Sequence, residues 1–237
     1  SSISFTGLAL GSILNVQLPS DPDANGGDSI TVTPNASVTI NLDGNTPNPL
    51  TAATFPAGDR LIYDGTGAKT IDGVNEGTIT GGGVQPVTFT EIEDVQATGT
   101  LTDVVDVASL PGGNDTNPNN LIIRLSAADP TYVEILFDGD TTSAGDEVLI
   151  SSERFSDVTS ITVNGAGDDD QVTVDLANGD TVPGGGIFFN GAGQVNSPNG
   201  DELFITNGTT QGTTTYNYVD ANSGNVVMSN FGTITYT

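Results

Sequence analysis

Carboxylates dominate the chemistry this chain can offer. The stretch GAGDDDQVTVDL, residues 165–176, runs a glycine-spaced turn into Asp168, Asp169 and Asp170. It then alternates apolar Val172 and Val174 with polar Thr173 and Asp175. Oxygen ligands at short loop spacing suit Ca2+, which takes roughly six to eight of them. The same residues also make a solvated turn, because aspartate bonds nearby backbone amides. Two more loops share this composition: DPDANGGD, with Asp21, Asp23, Asn25 and Asp28, and FDGDTTSAGD, with Asp138, Asp140 and Asp146. The second begins D-x-D-x-T but lacks the closing Glu and the helices of an EF-hand. Ca2+ is the cofactor these loops could take; the solvated turn is the plainer reading of the same residues.

Other chemistries find little to work with. The chain has no His and no Cys, which removes a Ser-His triad and most transition-metal sites. Glycosidases need two carboxylates across a cleft, and among 30 acidic residues such a pair arises by chance. The glycine triplets in TGGGVQP (80–86) and PGGGIFF (183–189) lack the helix and the Lys of a phosphate loop, so they read as turns or bulges. Tyr216 and Tyr218 share one face of an alternating run and could stack on a sugar or pair across strands. The expectation is that the chain is not an enzyme.

Charge narrows the partners. Against those 30 acidic residues stand four cations, Arg60, Lys69, Arg124 and Arg154, for a net charge of −26 over 237 residues. Nucleic acids and anionic membranes are poor partners for such a surface. No apolar run approaches the roughly 20 residues of a membrane span.

The elements that must position these residues are strands. Short runs rich in Val, Ile, Thr, Phe and Tyr recur between Gly, Asp, Asn and Pro: SITVTP, SVTINL, RLIYDG, PVTFTEIEDV, LIIRLS, YVEILF, EVLIS, SITVNG, QVTVDL, IFFNG, ELFIT, TYNYV and TITYT. No sustained helical periodicity is present. The signature Gly-Asp-x-apolar-x-apolar opens GDSITV, GDRLIY, GDEVLI and GDELFI, with looser forms at Asp115 and Asp170. Asp28 to Asp59, Asp115 to Asp146 and Asp170 to Asp201 are each separated by 31 residues. That period fits one coil of a parallel β-solenoid; two β-sandwich (Ig-like) domains are the alternative.

A second repeat joins serine or threonine to an aromatic residue: ISFTGLALG from Ile3, VTFTEIEDV from Val87, and ITYT from Ile234. It divides the chain into β-rich modules at 1–86 and 87–237. SSISFTGLALGSILNVQL is the most apolar long stretch. Ile3, Phe5, Leu8, Leu10, Ile13, Leu14 and Val16 are therefore candidates for an assembly strand lent to a neighbouring copy. Repetition at both ends makes the chain look cut from, or built to continue, a head-to-tail series.

VTSITVNGAGDDDQVTVDLANGDTVPGGGIFFNGAG and GTITGGGVQPVTFTEIEDV resemble a recurring unit of very large bacterial extracellular β-strand-repeat proteins. Those units look like V-x-S-L-T-V-N-G-x-G-G-D-D-x-L-x-V-D and T-F-T-G-I-E-x-V. The likeness to calcium-binding RTX repeats is distant, because the strict G-G-x-G-x-D-x-apolar nonapeptide is absent. The resemblance implies a secreted or surface-attached, non-enzymatic role. Together these readings lead to the expectation of a self-assembling filament or surface-layer subunit whose partners are copies of itself. The alternative is a calcium-stabilised adhesin or carbohydrate-binding module directed at surface glycans.

Overall fold

The computed structural model describes residues 8–19, 27–45, 58–113, 117–139, 147–193 and 200–237. They form an all-β protein, 53% strand and 3% helix, with two mixed sheets and no closed barrel. Helix is confined to two 3-10 turns, Val107–Ser109 and Phe155–Asp157.

In chain order the first strands are β1 (Ser12–Gln17), β2 (Ser29–Val32), β3 (Val38–Asp43) and β4 (Arg60–Tyr63). A meander follows: β5 (Gly67–Gly73), β6 (Glu76–Thr80) and β7 (Val87–Thr90). Next come β8 (Asp94–Ala97), β9 (Leu101–Asp106), and a second meander of β10 (Asn119–Leu125), β11 (Tyr132–Asp138) and β12 (Val148–Arg154). The chain continues through β13 (Val158–Asn164), β14 (Asp170–Asp175), β15 (Ile187–Asn190) and β16 (Glu202–Thr206). It closes on a third meander, β17 (Thr214–Tyr218), β18 (Gly224–Met228) and β19 (Thr233–Tyr236).

The path alternates between the two sheets. The 11-stranded sheet has the order β1-β3-β7-β6-β5-β9-β13-β15-β19-β18-β17, and the 8-stranded sheet β16-β14-β10-β11-β12-β8-β4-β2. Wherever one pass meets the next in the same sheet, the pairing is parallel, as in β1 with β3, β9 with β13, β4 with β8 and β14 with β16. Among the described residues antiparallel pairs occur only inside the meanders. A parallel pair cannot be joined by a tight hairpin. Here the strand of the opposite sheet serves as the crossover.

Residue alternation fixes which face turns inward. β3, β9 and β14 each bury every second residue, the pattern of a strand with one face on the core. The inward residues of both sheets meet in two apolar clusters. One gathers Ile40, Leu42, Leu61, Tyr63, Val87 and Phe89; the other gathers Val105, Leu121, Ile123, Ile161, Val172 and Ile187. Each such side chain contributes roughly 1.5–3 kcal/mol on burial. The module boundary that the repeats suggested, between residues 86 and 87, falls at the start of β7, inside the first meander.

Candidate functional site

The carboxylates converge at the corner where the chain enters strands of the smaller sheet. The backbone N–H of Asp28 donates to Asp59 Oδ1 at 2.7 Å, and that of Asp59 donates to Glu93 Oε2 at 2.7 Å. A second ladder forms later. The N–H of Asp170 donates to Asp201 Oδ1 at 3.0 Å, and Asn119 Nδ2 donates to Asp170 Oδ1 at 3.3 Å and to both oxygens of Asp168 at 3.2 Å. Each ladder runs across parallel strands in register, so the acid at the head of one strand accepts from its neighbour's backbone.

A glycine earlier in the chain makes room for each of three ladder carboxylates. The carboxylates of Asp59, Asp170 and Asp201 tuck against Gly44, Gly165 and Gly191, where a Cβ would collide with them. Ala166 N–H adds a 2.6 Å bond to Asp170 Oδ2. Asp168, Asp169 and Asp170 are all buried. Burial pushes Asp170 up to about 6, with the charges of Asp168 and Asp201 adding, while the bonds from Ala166 and Asn119 pull it down.

The remaining sequence candidates are dispersed. Asp138 ends β11 and is buried, and Asp28 stands at the head of β2. Asp21, Asp23, Asp140 and Asp146 lie outside the described residues, as do Ile3 and Phe5. Among the described residues no three His, Cys, Asp or Glu side chains are arranged to hold a metal ion. Leu14 and Val16 pack on the first apolar cluster, whereas Leu8, Leu10 and Ile13 are exposed, Leu10 at 80%. β1, which carries Ile13, Leu14 and Val16, pairs with β3 of its own chain and forms the edge of the larger sheet. At the opposite edge, Tyr216 and Tyr218 on β17 are 58% and 76% exposed; they face Val226 and Gly224 across the strand pair.

One cluster escaped the sequence reading. Lys69, the chain's single lysine, is buried on β5 directly opposite Asp103 of β9, and Glu153 reaches it from β12 of the other sheet. Its Nζ lies 3.3 Å from Asp103 Oδ1, 2.8 Å from Glu153 Oε2 and 3.0 Å from the Ser151 hydroxyl. Burial alone would lower the lysine's pKa, but the two carboxylates outweigh it and the net shift is upward. Burial first, and then the charge of Asp103, push Glu153 well above the ordinary carboxylate range against the pull of Lys69. The three arginines behave differently: partly exposed Arg60 and Arg124 pair with buried Asp94 and Glu134, and Arg154 bonds Gln96.

No family model, curated protein or solved structure matches this chain.

Chemically, the ladder is an acceptor array that has consumed much of its capacity on backbone N–H groups. The buried lysine cluster is different in kind. It brings an amine, two carboxyl groups and a hydroxyl together away from water. A small cavity beside it, lined by Ile71, Ile150, Ser151 and Ser152, has room for about one water molecule. The signal in the sequence was a lone Lys two residues before Ile71 on an inward face, and an Asp between Leu101 and Val105 at inward spacing.

Proposed function

We propose that this chain is an extracellular structural subunit that stacks head to tail with like units into a filament or surface layer. The observation that carries the reading is a pair of unlike, open sheet edges. β1 and β2 end the coil on one side, with Leu10 and Ile13 exposed; β16 and β17 end it on the other, with Phe204, Tyr218 and Val219 exposed. Edge strands with apolar side chains are templates for further pairing. A contact between two different edges does not close on itself and propagates as a filament. Strand exchange through Ile3 and Phe5 is a variant of the same contact.

Within this reading the fold is a parallel β-solenoid of two sheets. The strict alternation between sheets and the parallel pairing of successive passes support it over two separate sandwiches. Extracellular placement follows from the resemblance to surface β-strand-repeat units. Size-exclusion chromatography with negative-stain microscopy tests the proposal. Elongated particles of regular width are expected, and a strictly monomeric chain, unchanged by Ca2+, overturns it.

A second reading, a calcium-stabilised glycan-binding adhesin, is favoured by two observations. Tyr216 and Tyr218 present their rings to solvent on one face of an edge strand. The mutual charge of Asp168, Asp170 and Asp201 is a strain that a divalent cation relieves. A melting midpoint insensitive to chelator removes the calcium part, and an empty glycan array removes the sugar part.

A further inference from the structure

A buried salt bridge that serves structure alone satisfies its spare lone pairs with further hydrogen bonds. The Lys69 cluster does not. Among the described residues no donor outside the cluster reaches either oxygen of Asp103 or of Glu153. Lys69, Asp103 and Glu153 side chains are each only 1% exposed, and Ile71, Leu101 and Val105, the inward neighbours along β5 and β9, are 1% exposed or less. The amine and the Asp103 carboxyl are held at contact distance by the parallel register of two central strands.

The proton count suits a reaction. With an ammonium, one carboxylate and one carboxylic acid the cluster is neutral. Moving one proton from Lys69 to Asp103 by way of Glu153 leaves an amine and two acids, a minor form because the two carboxylates hold the lysine protonated, but one whose three uncharged groups carry no burial penalty. Fixed geometry then makes the encounter intramolecular, which raises effective concentration by orders of magnitude.

We propose that Lys69 and Asp103 join spontaneously in an amide cross-link, with Glu153 carrying protons between them. The Nζ lone pair attacks Asp103 Cγ to give a tetrahedral intermediate. Glu153 accepts a proton from the nitrogen through one oxygen and delivers one to the departing hydroxyl through the other. The Cγ–O bond breaks, water leaves, and Glu153 returns to its acid form. The balance is ammonium plus carboxylate to amide plus water, with no oxidant, cofactor or activated ester. The nearest cavity is reached through Ser151, whose hydroxyl touches Nζ and which also lines that space, so the released water has somewhere to go one residue away from the reacting atoms. Glu153 contacts the reacting nitrogen and is a catalytic residue in this step; Ser151 positions the amine. The inference is independent of assembly.

Denaturing intact-mass spectrometry of the folded full chain tests it. The expected mass is lower than the sequence mass by one water, and proteolysis yields a branched peptide joining Lys69 to Asp103. Asp-Gly pairs such as Asp43-Gly44 also lose water, by succinimide formation, so the branched peptide is the decisive readout. A full-mass chain after prolonged incubation overturns the proposal, as does a water loss mapped to an Asp-Gly site and released by hydroxylamine. Lys69→Arg and Asp103→Ala are expected to keep full mass. Glu153→Gln is expected to fold and remain unlinked; a linked Glu153→Gln chain overturns the role given to Glu153.

Discussion

Asp170 shows how a residue legible in the sequence can have an unreadable job. The three aspartates announced a turn before a strand; Asp168 lies in a bend and Asp170 opens β14. Nothing in their spacing said that Asp170 would face Asn119 of another pass, or accept from Ala166 while donating its own N–H to Asp201. Those partners come from strand pairing. The consequence is a pH dependence with a definite sign. A carboxyl raised from 3.8 to about 6 in the folded chain binds its proton more tightly there than when unfolded. Its ionisation therefore opposes folding above pH 6, and that penalty fades as pH falls from about 6 toward 3.8. The ceiling is about 3 kcal/mol. Glu153 and Asp94, also shifted upward by burial, act in the same direction. Urea midpoints are expected to be higher at pH 5 than at pH 7.5, with a smaller difference in Asp170→Asn. A midpoint that falls steadily on acidification contradicts this.

At the scale of elements, alternation of apolar and polar residues revealed most strands, and every quoted run became one. The strands it missed include β5, β6 and β9, whose inward positions are taken by Gly67, Lys69, Gly73, Gly77 and Asp103. The reading of apolar periodicity passes over such positions, and so it passed over the lysine cluster. Pairing was half legible. The 31-residue spacing places Asp28 beside Asp59 and Asp170 beside Asp201 at the heads of neighbouring parallel strands. The equally spaced Asp115 and Asp146 lie outside the described residues. Glu93 and Asn119 occupy ladder positions that the Gly-Asp pattern did not flag. The corner glycines give this ladder a test. Gly165→Ala and Gly191→Ala drive a methyl into the carboxylates of Asp170 and Asp201 and are expected to destabilise by roughly 1–3 kcal/mol. Gly82→Ala meets nothing within 4 Å and is expected to change little. Chemical denaturation of the three variants decides; equal effects at all three positions remove the ladder as a constraint on the corner.

For the whole molecule the governing quantities are a net charge of −26 and two unlike edges. Charge of this size opposes compaction of one chain and, more strongly, the approach of a second. Apolar residues on the β1 edge work against that repulsion, which salt screens over about 10 Å at 0.1 M. Head-to-tail stacking is therefore expected to be promoted by salt and to depend on the exposed side chains of β1. Ile13 is 64% exposed and outside both apolar clusters, so Ile13→Glu leaves folding within about 0.5 kcal/mol of the parent. The same change places a new charge on the joining edge, where an unpaired carboxylate is buried by contact with the next unit. Sedimentation velocity across a salt series is expected to show the parent shifting to large species as salt rises, while Ile13→Glu stays small with an unaltered melting midpoint. If both chains assemble alike, β1 is not the joining edge; if neither does at any salt, the stacking proposal falls.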